Sequence, residues 1–274
     1  ARLSLVLSQG RQENGWLILE PTTSLWLHYT NVSGGKPLWD IANDFQALLG
    51  ALERGQMEYD LGCEDIMADC ASVGRKCLRV GQARYHTVVL PAKTENLESR
   101  TFQLMRDFTS SGGRIIALGL PDYVDGEESA ELQAFMQSDA VIKMQTPQEI
   151  LSLYRQETDL LVQCPENSHV YHYRCRYEDG QLLFLTNSSL TDETPVTVSM
   201  PGKYLYRLDA MTGRIYLQSK AEGGKLKVET KLFPADSQLW FASDEKVLNA
   251  EAGNDSPTDL KPLQTQDETE VNPL

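Results

Sequence analysis

Residues 85–119 spell out a strand, a helix and a second strand, and they limit the fold more tightly than any other part of the chain. Thr87-Val88-Val89-Leu90-Pro91 is a continuous apolar run, as a parallel strand buried on both faces requires. Residues 98–111 follow with helical spacing, which puts Phe102, Met105 and Phe108 on or near one face. Gly112-Gly113 stops that helix, and Arg114-Ile115-Ile116-Ala117-Leu118 is the next buried strand. The unit sets Ala92-Lys93-Thr94-Glu95-Asn96 at a strand's carboxyl end, where open α/β sheets hold their ligands. No Cys, Ser or glycine-rich elbow stands there. The scaffold is of a catalytic type, and the usual nucleophile is missing.

The alternation extends in both directions. Trp16-Leu17-Ile18-Leu19 reads as the first strand, followed by a loop through Ser33-Gly34-Gly35. Residues 40–55 predict an amphipathic helix with Ile41, Phe45, Leu48, Leu49 and Leu52 inward, and 57–61 a second strand. A hairpin around Gly81-Gln82 fills 76–85. Helix 128–137, edge strand 141–144 and helix 146–156, with Thr146 as N-cap and Pro147 behind it, complete the pattern. Residues 1–157 therefore predict a flavodoxin-like α/β domain built on a doubly wound parallel sheet. Beyond it the texture changes to eight short strands: 160–164, 170–177, 181–187, 196–200, 204–209, 214–218, 225–231 and 238–242. Turn signals such as Glu178-Asp179-Gly180 and Met211-Thr212-Gly213 separate them, which predicts an antiparallel β-sandwich over 158–245. Residues 246–274 read as an acidic linker or disordered tail, since 244–274 hold eight acids against two lysines.

A chain of 274 residues with 41% apolar content can build two sizeable cores. The formal charge of −14 argues against a nucleic-acid partner. No apolar run approaches the roughly 18 residues a membrane span needs, so a soluble chain with no membrane partner is expected. Ala1-Arg-Leu-Ser-Leu-Val-Leu-Ser-Gln9 reads as a helix entered partway along and stopped by Gly10, which predicts a segment of something longer. Localisation signals of that parent would lie outside it. The five Cys (63, 70, 77, 164, 175) form no CxxC pair and have no His among the first three, so buried free thiols are expected rather than zinc ligands. Disulfides stay open if the parent is exported.

Three acids are expected where strands end: Glu20, Asp60 and Glu95, with Glu64-Asp65 just after the second strand. Convergent carboxylates would serve acid/base work or ligate a cation; the alternative is that they cap helices and loops. Pro21-Thr22-Thr23-Ser24 offers hydroxyls where a phosphate loop would lie, but the next helix is expected only near Trp39, and there is no GxGxxG or Walker loop. No cofactor or metal is expected. Trp26 and Trp39 flank the same loop and suit either core or lid packing or a sugar ring. In strand 170–177, Tyr171, Tyr173, Cys175 and Tyr177 are expected to face the core, and His172, Arg174 and Arg176 to face outward. Asn31-Val32-Ser33 and Asn187-Ser188-Ser189 are glycosylation sequons, meaningful only in a eukaryotic secreted protein. A class I glutaminase would need a Cys at the elbow and a downstream His; 92–96 hold no Cys, and His169 and His172 fall in the β part.

Several short motifs carry a family resemblance in combination. They are Ala1-Arg-Leu-Ser-Leu-Val-Leu-Ser-Gln-Gly10, Leu19-Glu-Pro-Thr-Thr-Ser-Leu-Trp26, Glu58-Tyr-Asp-Leu-Gly-Cys-Glu-Asp-Ile66 and Tyr85-His-Thr-Val-Val-Leu-Pro91. Leu183-Phe-Leu-Thr-Asn-Ser-Ser189 and Leu208-Asp-Ala-Met-Thr-Gly213 continue the series. Together they resemble the region that follows the catalytic barrel in large bacterial glycoside hydrolases of the α-L-rhamnosidase-like kind. More distantly they resemble the glutaminase-like middle domain of some β-galactosidases. The resemblance covers residues 1–243 and implies that the first segment is the last helix of the barrel. It also implies that the catalytic carboxylates belong to that barrel, so no catalytic residue transfers to this chain. The expected partner is the parent's barrel, with carbohydrate as a second ligand at Glu20, Thr22, Trp26, Glu64, Asp65 and Glu95. The compartment, bacterial cytoplasm or periplasm and beyond, follows from the parent's signal.

Overall fold

Helix α1 (Arg2–Gln9) opens a computed structural model that describes residues 2–30, 35–221, 225–246 and 250–252. Two compact units divide the chain: Gln12–Thr158, and Ala1–Arg11 together with Asp159–Leu274. Among the described residues no helix is long and apolar enough to cross a membrane.

In the first unit the apolar run at residue 16 becomes β1 (Trp16–Leu19), followed at once by the short helix α2 (Thr22–Leu27) and then α3 (Lys36–Arg54). Strand β2 (Asp60–Gly62) leads into α4 (Glu64–Cys70) and a meander of β3 (Ala71–Gly74), β4 (Cys77–Val80) and β5 (Ala83–Tyr85). Next come β6 (Thr87–Leu90), β7 (Asn96–Leu97), α5 (Ser99–Ser110) and β8 (Arg114–Ala117). The small strands β9 (Tyr123–Val124) and β10 (Glu127–Glu128), then α6 (Ala130–Gln137), β11 (Val141–Lys143) and α7 (Pro147–Glu157), close the unit. The main sheet is parallel, in the order β11-β8-β6-β1-β2.

Strand alternation sends Leu17, Leu19, Val88, Leu90, Ile115 and Ala117 into one core with Phe102, Met105 and Phe108 of α5. Trp16, Ile18, Val89 and Ile116 enter the other, against Leu48 and Leu52 of α3 and Ile150, Leu151 and Tyr154 of α7. Helices thus cover both faces, which is why the central strands read as unbroken apolar runs. Gly112 ends α5 at φ +89°, the left-handed conformation a glycine adopts without strain. Gly119 lets the chain leave β8 against the loop after β6: a Cβ there would sit 2.0 Å from the Ala92 carbonyl oxygen.

The second unit contains β12 (Leu161–Gln163), β13 (Val170–Arg176), β14 (Gly180–Asn187), β15 (Thr194–Pro201) and β16 (Tyr204–Leu208). It continues with β17 (Ile215–Lys220), β18 (Lys225–Leu232), β19 (Ser237–Ser243) and β20 (Glu251–Ala252). They form a three-stranded antiparallel sheet, β12-β15-β18, and a six-stranded one, β13-β14-β19-β16-β17-β20. One apolar core takes Val196, Val198, Leu226 and Leu232 from the first sheet and Leu183, Leu185, Leu205 and Trp240 from the second. Strand β20 pairs parallel with β17 inside the stretch expected as a tail; residues 253–274 lie outside the described ones. Helix α1, expected within the α/β domain, groups with this unit instead. Its Leu3, Val6 and Leu7 pack over Cys175, Leu182 and Leu239 on the six-stranded sheet.

That helix reverses the expected facing of β13. Val170 lies in the core between the sheets, so His172, Arg174 and Arg176, in step with it, share the inner side. Tyr173, Cys175 and Tyr177 pack beneath α1, while Tyr171 is exposed. Arg174, only 8% exposed, reaches Asp159 at 2.5 Å and Gln181 at 3.3 Å, and Arg176 holds the other Asp159 oxygen at 2.9 Å. Burial works against ionising Asp159, but the hydrogen bonds and charges of the two arginines outweigh it and hold the carboxyl below its usual range. A depressed folded pKa contributes stability above the ordinary value of 3.8, and this is lost as pH falls through the folded value. We expect Asp159→Asn to lower the urea midpoint at neutral pH and to flatten the acid limb of the stability profile below about pH 4. An acid limb identical to that of the parent chain would contradict this.

Candidate functional site

The carboxyl edge of the parallel sheet is assembled around one buried carboxylate. Glu64, 3% exposed in the first turn of α4, accepts from the Thr23 hydroxyl at 2.7 Å through one oxygen. Its other oxygen accepts the Glu98 backbone N–H at 2.8 Å. Burial pushes its pKa up, while the bonds from Thr23 and Glu98 and the nearby Thr101 hydroxyl favour the ion and Asp125 opposes it. Asp125 itself accepts the Ser99 N–H at 2.9 Å. Two carboxylates therefore take the first free amides of α5, where the helix dipole favours negative charge. Glu98 is pushed up as well, by burial first and then by Glu64, Asp65 and Asp125.

The hydroxyls of α2 are spent on the backbone that follows β6. The Ser24 hydroxyl, fully buried, accepts the N–H groups of Glu95 at 2.9 Å and Asn96 at 3.1 Å. Asn96 in turn accepts the Gly126 N–H at 2.8 Å. His28 Nε2 lies 2.7 Å from Glu95 Oε2, with both side chains partly exposed.

The predicted residues thus divide. Thr22 opens α2, and Glu20, half-buried, has its N–H on the Gly62 carbonyl at 2.9 Å. Glu64 and Glu95 are drawn into the loop cluster through Thr23 and Ser24. Asp65 stays exposed on α4, and Trp26 and Trp39, at 60% and 59% exposure, belong to no core. Asp60 is at the opposite edge: it begins β2 rather than ending it, and accepts from Asn14 at 2.6 Å and Tyr85 at 2.7 Å. Tyr85 is consequently raised, by burial first and then by the Asp60 bond and charge. The helix expected only near Trp39 starts at Lys36, and α2 fills the place where no helix was expected. Individually Thr23, Ser24, His28 and Asn96 carry no sequence signal; the hydroxyl run directly after β1 is what points to them.

Other chemistry suggested by the sequence is absorbed by the fold. Asn187 is 2% exposed and donates to the carbonyls of Asp192, Leu232 and Phe233, so its sequon is closed in the folded chain. The sequon at Asn31 lies outside the described residues. The cysteines are free thiols, but only Cys175 is fully buried and Cys70 is exposed. Among the described residues no group of three or more His, Cys, Asp or Glu gathers as a metal site.

No family model and no curated protein matches the chain. Solved structures do. A rhamnosidase from Novosphingobium sp. PP1Y is similar over 92% of this chain and 24% of its own, at 16% identity and a TM-score of 0.61. A β-galactosidase from Bacillus circulans sp. alkalophilus is similar over 87% of this chain and 42% of its own, at 9% identity and a TM-score of 0.56. The apo exo-carrageenase GH42 from Bacteroides ovatus gives 89%, 31%, 12% and 0.54 in the same order. The chain spans between 24% and 42% of the length of these proteins. At such identities the likeness is one of fold, and a glycoside hydrolase-like architecture fits the chain.

Proposed function

We propose that the chain is a pair of non-catalytic modules from a large carbohydrate-active enzyme of the α-L-rhamnosidase-like kind. In this reading a flavodoxin/glutaminase-like α/β domain and a β-sandwich support the catalytic barrel, its substrate cleft or its assembly. The observation that carries it is the use made of the carboxyl edge. Glu64 anchors Thr23 and the start of α5, Ser24 holds the backbone at Glu95 and Asn96, and 92–96 hold neither Cys nor Ser. Glu64, Thr23 and Ser24, which an enzyme of this architecture would point at a substrate, are turned inward to hold loops. The fold likeness to glycoside hydrolases, each far longer than this chain, supports the same reading. The encoding gene tests it: an upstream frame of barrel size, continuous with Ala1, is expected, and a start codon at that point would overturn it.

The exposure of Trp26 and Trp39 favours a second reading, a stand-alone sugar-binding module in which the two rings stack on pyranose faces. Titration calorimetry of the purified chain with mono- and oligosaccharides separates the two. Saturable heats removed by Trp26→Ala support the sugar binder, and none are expected from a supporting module.

A further inference from the structure

Six large apolar side chains are exposed at one corner of the α/β unit: Trp26 at 60%, Leu27 at 44%, Tyr29 at 70%, Trp39 at 59%, Leu61 at 46% and Ile66 at 56%. The topology brings them together. Trp26, Leu27 and Tyr29 belong to α2 and the turn that extends it, and the Tyr29 N–H bonds the Trp26 carbonyl, so those two side chains share a face. Trp39 is in the first turn of α3, which contacts α2. Leu61 is on the edge strand β2 beside β1, and Ile66 is in the helix that follows it. No exposed large apolar side chain occurs in the described loops at the opposite, amino-terminal edge of the sheet. Isolated exposed apolar residues are ordinary on a surface, but a concentration of this kind marks a contact face.

The charges around the corner identify what covers it. Lys36 is held by Asp40 at 3.1 Å and Lys93 by Asp44 at 3.0 Å, so each lysine is already answered by a carboxylate. Glu20, and Asp65 and Asp69 on α4, add three further acids against Arg100 in the first turn of the neighbouring α5, so acid stays in excess. A second copy docked through the same face would set acid against acid, which is costly across an interface. We infer that this corner docks a protein surface with an apolar centre and a rim of Lys and Arg, supplied by the rest of the parent chain. The inference rests on the accessory-module reading and adds to it the face that makes the contact.

Hydroxyl-radical footprinting of the 274-residue chain beside the full-length gene product tests this. Trp26, Tyr29 and Trp39 are expected to oxidise rapidly in the chain and several-fold more slowly in the full product. The double variant Trp26→Ala/Trp39→Ala should lower the melting temperature of the full product and leave that of the 274-residue chain unchanged. Equal oxidation rates in a full product that does contain a barrel would overturn the docking face and leave the accessory reading standing. A gene without further coding sequence would overturn both. Protection of the same rings by added oligosaccharide, with none in the full product, or concentration-dependent protection in the chain alone, would replace the proposed occupant with a sugar or a second copy.

Discussion

Replacing Glu64 by alanine is expected to cost the α/β unit about 1–3 kcal/mol, because it strands the half-buried Glu98 N–H and removes the nearer of the Thr23 hydroxyl's two acceptors. Glu64→Gln should cost far less. Its amide oxygen can accept from Glu98 while its NH2 group faces Thr23, whose hydroxyl proton can turn to the Asn96 carbonyl 3.2 Å away. The two variants also separate by pH. A carboxyl raised by burial binds its proton more readily in the folded chain, so the parent chain loses stability as pH rises from the ordinary 4.5 through the folded value. The Gln variant has no such slope. Chemical denaturation between acid and neutral pH checks both statements. A Gln variant as unstable as the Ala variant would show that Glu64 holds the edge by its charge and not by its hydrogen bonds.

The β unit should respond most strongly at Trp240. This side chain is 1% exposed on β19 and lies in the core shared by both sheets. Trp240→Ala leaves a large cavity there and is expected to cost about 3–5 kcal/mol. Circular dichroism during urea unfolding reads the loss without relying on tryptophan emission. A midpoint unchanged from the parent chain would mean that the two sheets are held by something other than this core.

Much of this was legible in the sequence because burial leaves a pattern. Strands such as Trp16–Leu19 and Thr87–Leu90 are buried at every position, so they appear as unbroken apolar runs. The turns around Gly81 and Gly213, both at positive φ, stand out by composition. What was missed is short or ambiguous. Helices α2 and α4, six and seven residues long, do not complete two turns, and neither Pro21 nor Cys63 caps its helix through a side chain. Strand β2 starts three residues later than its apolar content suggested, which moved Asp60 from one edge of the sheet to the other. In β13 alternation was visible but its direction was not, because α1 gives that strand a second apolar face. The site is half legible: Glu64 and Glu95 read as acids at the edge, but residue type does not show that Glu64 turns inward.

In the proposed reading this chain has the frame of an α/β enzyme, while Glu64, Thr23 and Ser24 at its carboxyl edge serve the fold. Assaying the purified 274-residue chain on aryl α-L-rhamnosides and aryl β-galactosides, beside the full-length gene product, tests it most directly. Hydrolysis is expected from the full product and none from the chain. Turnover by the chain alone, abolished by Glu64→Gln or Glu95→Gln in a variant that remains folded, would contradict it.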